Sequence, residues 1–240
     1  MKADIVDGSG IGERNGSASD LRAARKRIMI LDDHPLVCEG LAALIRQHGG
    51  LEVATTCNTV PDAQRALREG LPDLLLLDIS LPNTSGLDVL KDLLAQYPDL
   101  DVLVVSMHDE SVYAEHVVRL GAKGYVMKAE ASDTIVEAIL HVLGGGVYAS
   151  PNVLTKILAR LSSNGRRHGV QSGVDSLAGR ELQVYTLIGE GLTAGEIAAR
   201  LKISPKTVQT HREHIKEKLN LKSWVELVRH AIQFNLDQGS

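Results

Sequence analysis

Five polar residues that could handle a phosphoryl group or a metal ion follow short apolar runs in the first half of the chain. Asp32 and Asp33 follow RIMIL, Asp78 follows LLLL, Ser106 follows VLVV and Lys128 follows YVM. A carboxylate can accept a phosphoryl group once cations offset its repulsion with the incoming phosphate. Neighbouring carboxylates could hold Mg²⁺, which prefers hard oxygen ligands, and an ammonium or a hydroxyl could bind phosphate oxygens. The residue types therefore predict phosphoryl-group chemistry centred on Asp78.

The elements that must position these residues alternate between strand and helix. We predict strands over 27–31, 51–55, 73–77, 101–105 and 124–127, each followed by a helix, over 35–47, 60–69, 86–96, 110–120 and 132–143. This alternation indicates an α/β domain with a doubly wound five-stranded parallel sheet of flavodoxin-like type. The carboxyl ends of parallel strands share one edge, where ligands bind. Asp78 should end the central strand, because its strand is the most apolar.

Each of these side chains also has a local alternative. Asp32 or Asp33 could cap the helix that begins at Pro35, and Asp78 could cap a turn. Ser106 could hydrogen-bond within its own loop, and Lys128 could be solvated. The agreement of four strand ends favours one shared site over four unrelated local roles.

Charge divides the chain into two unlike halves. Residues 1–148 contain 13 Lys and Arg against 22 Asp and Glu, a net charge of −9, whereas residues 149–240 contain 13 against 8, a net charge of +5. This asymmetry is typical of a phosphate-chemistry or docking domain followed by a nucleic-acid-binding domain, with chance variation of surface charge as the alternative. No apolar stretch is long enough to cross a membrane. Cys38 and Cys57 fit no metal or redox spacing, so we expect buried thiols in a reducing compartment.

Composition and helix signals divide the chain into four segments. Residues 1–25 are rich in Gly, Ser, Asn and charge, which predicts a mobile tail, and residues 26–146 form the α/β domain. Residues 147–176 contain a linker helix, beginning at Ser150-Pro151, and a Ser-, Gly- and Arg-rich tether with little to bury. Residues 177–240 should form an all-α domain of four helices, over 180–190, 194–201, 205–219 and 224–234.

The connection between the second and third of these helices is very short and indicates a helix-turn-helix. Thr193 with Glu196, and Ser223 with Glu226, are capping-box pairs. Ser204-Pro205 caps and begins the helix 205–219.

The helix 205–219 separates into a buried and an outward face. The residues expected inside are Val208, His211, Ile215 and Leu219. Gln209 and Thr210 face out, and their side chains are suited to base edges in a major groove. Lys206, Arg212 and Lys216 could neutralise DNA phosphates. The alternative is an amphipathic surface helix with scattered charge.

Together the motifs resemble two-component response regulators. The receiver-like segments are RIMILDDHPLVCEGLAALI, LLLLDISLPNTSGLDVL, VLVVSMHDE and GAKGYVMKAE, and the stretch from SLAGRELQVYTLIGEGLTAGEIAARLKISPKTVQTHREHIKEKLNLKSWVELVRHAI resembles the NarL/FixJ (LuxR-type) output domain. The resemblance covers about residues 27–234 and is carried by both halves. Ala178 departs from the usual Thr at its position, so we expect weaker capping of the first output helix, or capping by Ser176.

The resemblance implies a role for each candidate residue. It makes Asp78 the phosphoacceptor, with Ser106 as switch hydroxyl, Tyr125 as switch aromatic and Lys128 as the lysine that senses the phosphoryl group. The implied Mg²⁺ ligands are Asp32, Asp33, Asp78 and the backbone carbonyl of Ser80. On the recognition helix, the residues implied near base edges are Gln209, Thr210 and Glu213, and those implied near the DNA backbone are Lys206, Thr207, Arg212 and Lys216.

The function implied is a cytoplasmic, phosphorylation-dependent transcription regulator that catalyses only its own aspartyl phosphorylation and dephosphorylation. Its implied partners are a sensor histidine kinase, double-stranded promoter DNA, a second copy of the chain when phosphorylated and, as a candidate, RNA polymerase. Two rivals stay open. One is an unphosphorylated regulator controlled by concentration or by a protein partner. The other is a phosphohydrolase with an Asp nucleophile, which usually needs a second carboxylate where this chain has Ser80.

Overall fold

One parallel sheet forms the centre of the first domain in the computed structural model, which describes residues 25–238 except 83, 109, 131, 152, 156, 158–172 and 175. The strands are β1 (Lys26–Leu31), β2 (Leu51–Cys57), β3 (Leu74–Leu77), β4 (Val102–Ser106) and β5 (Gly124–Met127). Their order is β2-β1-β3-β4-β5 and every pairing is parallel. This confirms the predicted doubly wound α/β fold and the central position of β3.

Five helices cover the sheet. They are α1 (Pro35–Gln47), α2 (Val60–Glu69), α3 (Gly86–Gln96), α4 (Glu110–Leu120) and α5 (Ser132–Leu143), with the same bounds as predicted. Strand β2 extends two residues beyond its predicted end, because β1 continues to pair with it after a register shift between Ile28 and Met29. The helical periodicity and the turn residues were therefore sufficient to place each helix.

Successive residues of each strand enter different cores, because side chains alternate across a strand. Met29 and Leu31 belong to the core beneath α2, α3 and α4, whereas Ile28 and Ile30 belong to the core beneath α1 and α5. All four leucines of β3 are fully buried. A strand that is apolar at every position has no face for solvent and must lie inside the sheet. The LLLL run thus fixes Asp78 at the middle of the carboxyl edge.

The second domain contains four helices, α6 (Gly179–Gly189), α7 (Ala194–Arg200), α8 (Pro205–Lys218) and α9 (Trp224–Gln238). A reciprocal capping box begins α7, where the Thr193 hydroxyl accepts from Glu196 N–H and the Glu196 carboxylate accepts from Thr193 N–H. The Ser204 hydroxyl accepts from Thr207 N–H at 3.0 Å and caps α8. Helix α9 is four residues longer than predicted. Its added part buries Gln238, and the next residue is Gly239.

Helix α6 begins without a hydroxyl cap, because its N-cap residue is Ala178. Glu181 Oε2 accepts from Ala178 N–H at 2.8 Å, so only the returning half of a capping box is present. The expected alternative cap, Ser176, instead donates to the Gly173 carbonyl at 2.6 Å. Capping by Ser176 is therefore wrong, because its hydroxyl is used in the preceding turn.

The connection between the domains is described only in part. Pro151 begins a helical segment, as predicted, which includes residues 153–155 and 157. The predicted tail over 1–25 lies outside the described residues except for its last residue, and so does most of the predicted tether. Val174, placed in the tether by the sequence, is buried in an apolar cluster that contains residues of both domains. The prediction that this stretch has little to bury is wrong at that residue.

Cys38 and Cys57 are both buried free thiols, and burial raises the pKa of each. Among the described residues, no helix combines the length and the apolar character needed to cross a bilayer.

Gly86, the first residue of α3, sets how closely that helix approaches the backbone of Asp78 and Ile79. A Cβ on Gly86 would overlap the Ile79 Cα and lie 2.8 Å from the Asp78 carbonyl oxygen. We expect Gly86→Ala to lower the free energy of unfolding by about 3 kcal/mol, because backbone atoms must move to admit the methyl group. Gly40→Ala is the matched control. Gly40 lies inside α1 with no atom within 4 Å of its added Cβ, so alanine should stabilise by about 1 kcal/mol. Urea titration of both variants checks the pair, and equal effects would contradict the account.

Candidate functional site

The strand ends do converge. Lys128, after β5, places its Nζ 2.6 Å from Asp32 Oδ2 and 2.6 Å from Asp78 Oδ2. Its side chain is only 7% exposed, which excludes the alternative of a solvated lysine. Asp32 and Asp78 are themselves buried. One ammonium therefore bridges the ends of β1 and β3, and it partly compensates two carboxylates that would otherwise be buried without a partner.

Backbone amides fix the orientation of both buried carboxylates. Asp78 Oδ1 accepts from Ser80 N–H and Asp32 Oδ1 accepts from His34 N–H, each at 2.9 Å. Burial raises the pKa of the Asp78 carboxyl, against the attraction of Lys128. For Lys128, burial lowers the pKa, but the two carboxylates outweigh it and the pKa is raised. The Asp78 carboxyl and the Lys128 ammonium are therefore held at ion-pair distance at the carboxyl edge of the sheet.

Asp33 and His34 complete an acidic cluster, which we define as Asp32, Asp33, His34 and Asp78. Ligand atoms of all four residues lie within 4.8 Å of one another, so the cluster could bind a metal ion. His34 Nδ1 is 2.9 Å from Asp33 Oδ1 and 3.2 Å from Asp32 Oδ1. Asp33 is only 8% exposed, yet its Oδ1 has no hydrogen-bond partner. A buried carboxylate oxygen without a donor fits a cation ligand.

The helix-capping alternative for the acidic pair is wrong, because His34 is the N-cap of α1 and makes no side-chain cap. The sequence prediction named neither His34 nor its place in the cluster. The available signal was its position directly between the acidic pair and Pro35.

Ser106 and Tyr125 meet at the backbone of His108. Ser106 is fully buried, and its Oγ accepts from His108 N–H at 3.3 Å. The Tyr125 hydroxyl, on a ring that is also buried, donates to the His108 carbonyl at 2.8 Å. Ser106 therefore has the local hydrogen bond that was its alternative role, while it still lies at the end of β4. Both predicted switch residues therefore hydrogen-bond to the backbone of His108, Ser106 at its N–H and Tyr125 at its carbonyl.

The output domain covers this sheet edge. A cavity of about 380 Å³ lies between the domains, and its lining includes Asp78, Ser80, His108 and Lys128 from the first domain and Arg180, Arg200 and Lys202 from the second. Arg180 is 8% exposed, and one of its guanidinium nitrogens, Nη2, has no hydrogen-bond partner. Burial lowers the pKa of Arg180. The sequence prediction missed all three cations from the output domain.

Among the described residues, the polar contacts that join the domains include three pairs, and we call the surface that contains these pairs the docking interface. Lys202 Nζ lies 2.8 Å from Asp33 Oδ2. The Gln183 amide donates to the Ile79 carbonyl at 3.1 Å, and Gly179 N–H donates to Asp88 Oδ1 at 3.1 Å. A Cβ on Gly179 would overlap the Ser85 hydroxyl, so the first turn of α6 approaches the first turn of α3 very closely.

The predicted DNA-reading face lies on α8 and is largely open. The exposed members are Lys206, Thr207, Gln209, Thr210 and Glu213. Val208 and Ile215 are buried as predicted, whereas His211 and Leu219 are half-buried.

Several members of this face are paired with one another. Glu213 accepts from the Gln209 amide at 2.8 Å and pairs with Lys216 at 2.6 Å. Arg212 lies over the Trp224 ring, 3.3 Å from its centroid, and does not stand free. A phosphate contact by Arg212 would therefore have to form while it is stacked on Trp224, or displace it from the ring.

Comparison with known proteins gives matches for both halves of the chain. Residues 28–140 match the response regulator receiver domain, and residues 175–231 match bacterial regulatory proteins of the LuxR family. The chain is 33% identical over 213 residues to the oxygen regulatory protein NreC of Staphylococcus carnosus, covering 88% of this chain and 98% of that protein. It is 35% identical over 210 residues to the transcriptional regulatory protein MctR of Rhizobium johnstonii, covering 88% and 94%.

Solved structures give a likeness of fold. RcsB from Salmonella enterica serovar Typhimurium, bound to promoter rprA in the presence of the phosphomimetic BeF₃⁻, matches with a TM-score of 0.55 and 23% identity. The match covers 86% of this chain and 98% of that chain. It supports the succession of a receiver fold and a helical domain.

His108 gives the site a pH dependence. Burial, and then Arg200 and Lys128, lower the pKa of His108 from 6.5 to about 4. Between these values the unfolded chain binds a proton that the folded chain does not, so stability falls as pH decreases through this window. Urea titrations at pH 7.5 and pH 5 measure the free energy of unfolding at each pH. Between these pH values, His108→Gln should lose about 2 kcal/mol less of this free energy than the unsubstituted chain. The control is His141→Gln, which replaces an exposed imidazole on α5. An unchanged pH dependence in His108→Gln would refute the assignment.

Proposed function

The chain belongs to the two-component response regulators that join a receiver domain to a LuxR-type helix-turn-helix domain, and we propose that Asp78 is the residue through which phosphorylation controls its binding to promoter DNA. The family function is phosphorylation-dependent, DNA-binding transcription regulation. The observation that carries the proposal is the buried Asp78 carboxylate at the end of the central strand, held between the Lys128 ammonium and Ser80 N–H.

In the proposed reaction, a carboxylate oxygen of Asp78 attacks the phosphorus atom of a phosphohistidine on a partner histidine kinase. The new P–O bond forms as the P–N bond breaks, and the imidazole leaves with the electron pair. Lys128, already at 2.6 Å from Asp78, can bind an oxygen of the arriving group. The chain turns over no external substrate in this scheme; it catalyses only its own phosphorylation and dephosphorylation.

A divalent cation completes the proposed site. The residues that would hold Mg²⁺ are Asp32, Asp33, Asp78 and the backbone carbonyl of Ser80. Two observations support this assignment: the buried Oδ1 of Asp33 accepts no hydrogen bond, although His34 Nδ1 is nearby, and the ligand atoms lie close together. When bound, the ion supplies positive charge that offsets repulsion between the carboxylates and the phosphoryl group.

Ser106 and Tyr125 would transmit the change. To bind a phosphoryl oxygen, the Ser106 hydroxyl must give up the hydrogen bond from His108 N–H. The carbonyl of the same residue, His108, accepts a hydrogen bond from the Tyr125 hydroxyl. Movement of Ser106 therefore disturbs the partner of Tyr125, and both lie next to α4, on which the output domain packs.

The output domain would place α8 in a major groove. We assign Gln209, Thr210 and Glu213 to base edges, and Lys206, Thr207, Arg212 and Lys216 to the DNA backbone. Exposure of most of this set supports the assignment. RNA polymerase remains a candidate partner at the promoter, and the cytoplasm is the proposed compartment.

A phosphorylated homodimer would set two recognition helices against two half-sites. Helix α9 offers the apolar surface for such pairing, since Trp224, Val225, Ile232 and Leu236 are all exposed on it. Val228 and Arg229 lie beside that surface. The buried side of α9, which includes Leu227 and Phe234, is used in the core of the domain itself.

The two rival functions make different demands. A phosphohydrolase would need an acid two residues after Asp78, where Ser80 provides only a backbone amide to the nucleophile. An unphosphorylated regulator would have no use for a buried carboxylate paired with lysine beside two further carboxylates. Phosphoryl labelling separates both rivals from the proposal.

Asp78→Asn should abolish phosphoryl labelling by a competent histidine kinase in the presence of Mg²⁺, since it keeps the shape but removes the nucleophilic charge. Asp33→Ala should lose metal affinity and labelling together. The control is Asp92→Asn, at an exposed position of α3, which should label fully. Retained labelling of Asp78→Asn would show that another residue accepts the group.

Lys206→Ala and Lys216→Ala should weaken binding to every DNA sequence, and each should lower the log–log salt slope by about one unit. Gln209→Ala should instead relax preference at one base pair, at a cost of about 1–3 kcal/mol. Lys222→Ala, exposed but outside this face, is the control. Salt-dependent binding to matched and mutated operators is the measurement. A uniform loss on all sequences from all three changes contradicts the division into base and backbone contacts.

A further inference from the structure

Lys202 comes from the output domain, yet its ammonium lies on a carboxylate of the acidic cluster. The Lys202 Nζ to Asp33 Oδ2 distance is 2.8 Å, and the two residues are 169 positions apart. Asp33 is 8% exposed and Lys202 is 54% exposed, so the pair closes the cluster from the solvent side. Lys202 is held there by the turn between α7 and α8, where its φ is +54°.

The same carboxylate is a ligand in the proposed metal site. Its other oxygen, Oδ1, has no hydrogen-bond partner, and the ligand atoms of Asp32, His34 and Asp78 lie within 4.8 Å. A divalent cation on Asp33 would stand a few ångströms from the Lys202 ammonium. Like charges at that separation repel strongly in a partly buried site. The two cations therefore cannot both bind Asp33 at full strength.

We propose that Lys202 competes with the divalent cation for Asp33, so that metal binding and docking of the output domain oppose each other. This inference rests on the metal site in the proposed function. Lys128 also contacts the cluster, but it belongs to the receiver and reports nothing about docking. Lys202, in contrast, belongs to the output domain. Among the described residues, it is the cation of that domain that contacts a carboxylate of the acidic cluster.

Coupling of this kind is reciprocal. If docking lowers metal affinity by some factor, bound metal weakens docking by the same factor. Undocking would also expose Arg180, whose burial without a partner for Nη2 disfavours the docked state. The metal thus prepares the chain for phosphorylation in two ways, by supplying charge at Asp78 and by loosening the domain above it.

The first arm of the test is Mg²⁺ titration of the full chain by calorimetry. Lys202→Asn removes the charge and suits the left-handed backbone, which asparagine tolerates. It should bind Mg²⁺ about fivefold more tightly than the unsubstituted chain, a factor expected for a partly exposed ion pair. Lys222→Asn, an exposed lysine of the same domain, should leave the affinity unchanged. Equal or weaker affinity in Lys202→Asn overturns the inference and leaves the proposed metal site standing. Binding by neither chain overturns both.

The second arm reads docking directly. The Gly179 amide is hydrogen-bonded across the interface to Asp88 Oδ1. Its hydrogen exchange, followed by NMR, reports the undocked population. Saturating Mg²⁺ should raise this exchange rate about fivefold in the unsubstituted chain and leave it unchanged in Lys202→Asn. An exchange rate that bound Mg²⁺ does not alter in the unsubstituted chain overturns the coupling.

Discussion

Negative charge at the carboxyl edge of the sheet is the constraint on which the rest of the molecule depends. The parallel order places the ends of β1 and β3 side by side, so the carboxylates of Asp32, Asp33 and Asp78 lie close together. Buried carboxylates need cations close by. Lys128, at the end of β5, pairs with Asp32 and Asp78, and Lys202, from the other domain, pairs with Asp33. One of the cations at this edge therefore belongs to the output domain, and its ion pair with Asp33 contributes to docking.

The docked output domain covers Asp78 but leaves one face of α8 exposed. The output domain lies over Asp78, with cations of α6, of α7 and of the turn after α7 around the interdomain cavity. The reading face of α8 is exposed at the same time. Docking in this form therefore acts on access to Asp78 and on the relative placement of the domains. It leaves the side chains proposed to read bases exposed, so under the proposed function regulation works through orientation or assembly.

Local patterns predicted most of the fold and the receiver half of the site. Apolar runs that end in polar residues located Asp32, Asp78, Ser106 and Lys128, because strand direction alone brings these ends together. The end of α9 was misplaced, since Phe234 was taken as the last apolar position although no breaker occurs before Gly239. Lys202 could not be found in this way, because its partner lies in another domain and long-range ion pairs leave no periodic signal in a sequence.

We propose that phosphorylation of Asp78 converts a docked monomer into a dimer able to span two half-sites. Light scattering of the full chain at low micromolar concentration, before and after complete phosphorylation, measures this conversion directly. The account predicts a mass near 25.9 kDa before phosphorylation and about twice that mass afterwards. An unmodified chain that is already fully dimeric, or a phosphorylated chain that stays at the monomer mass, would contradict it.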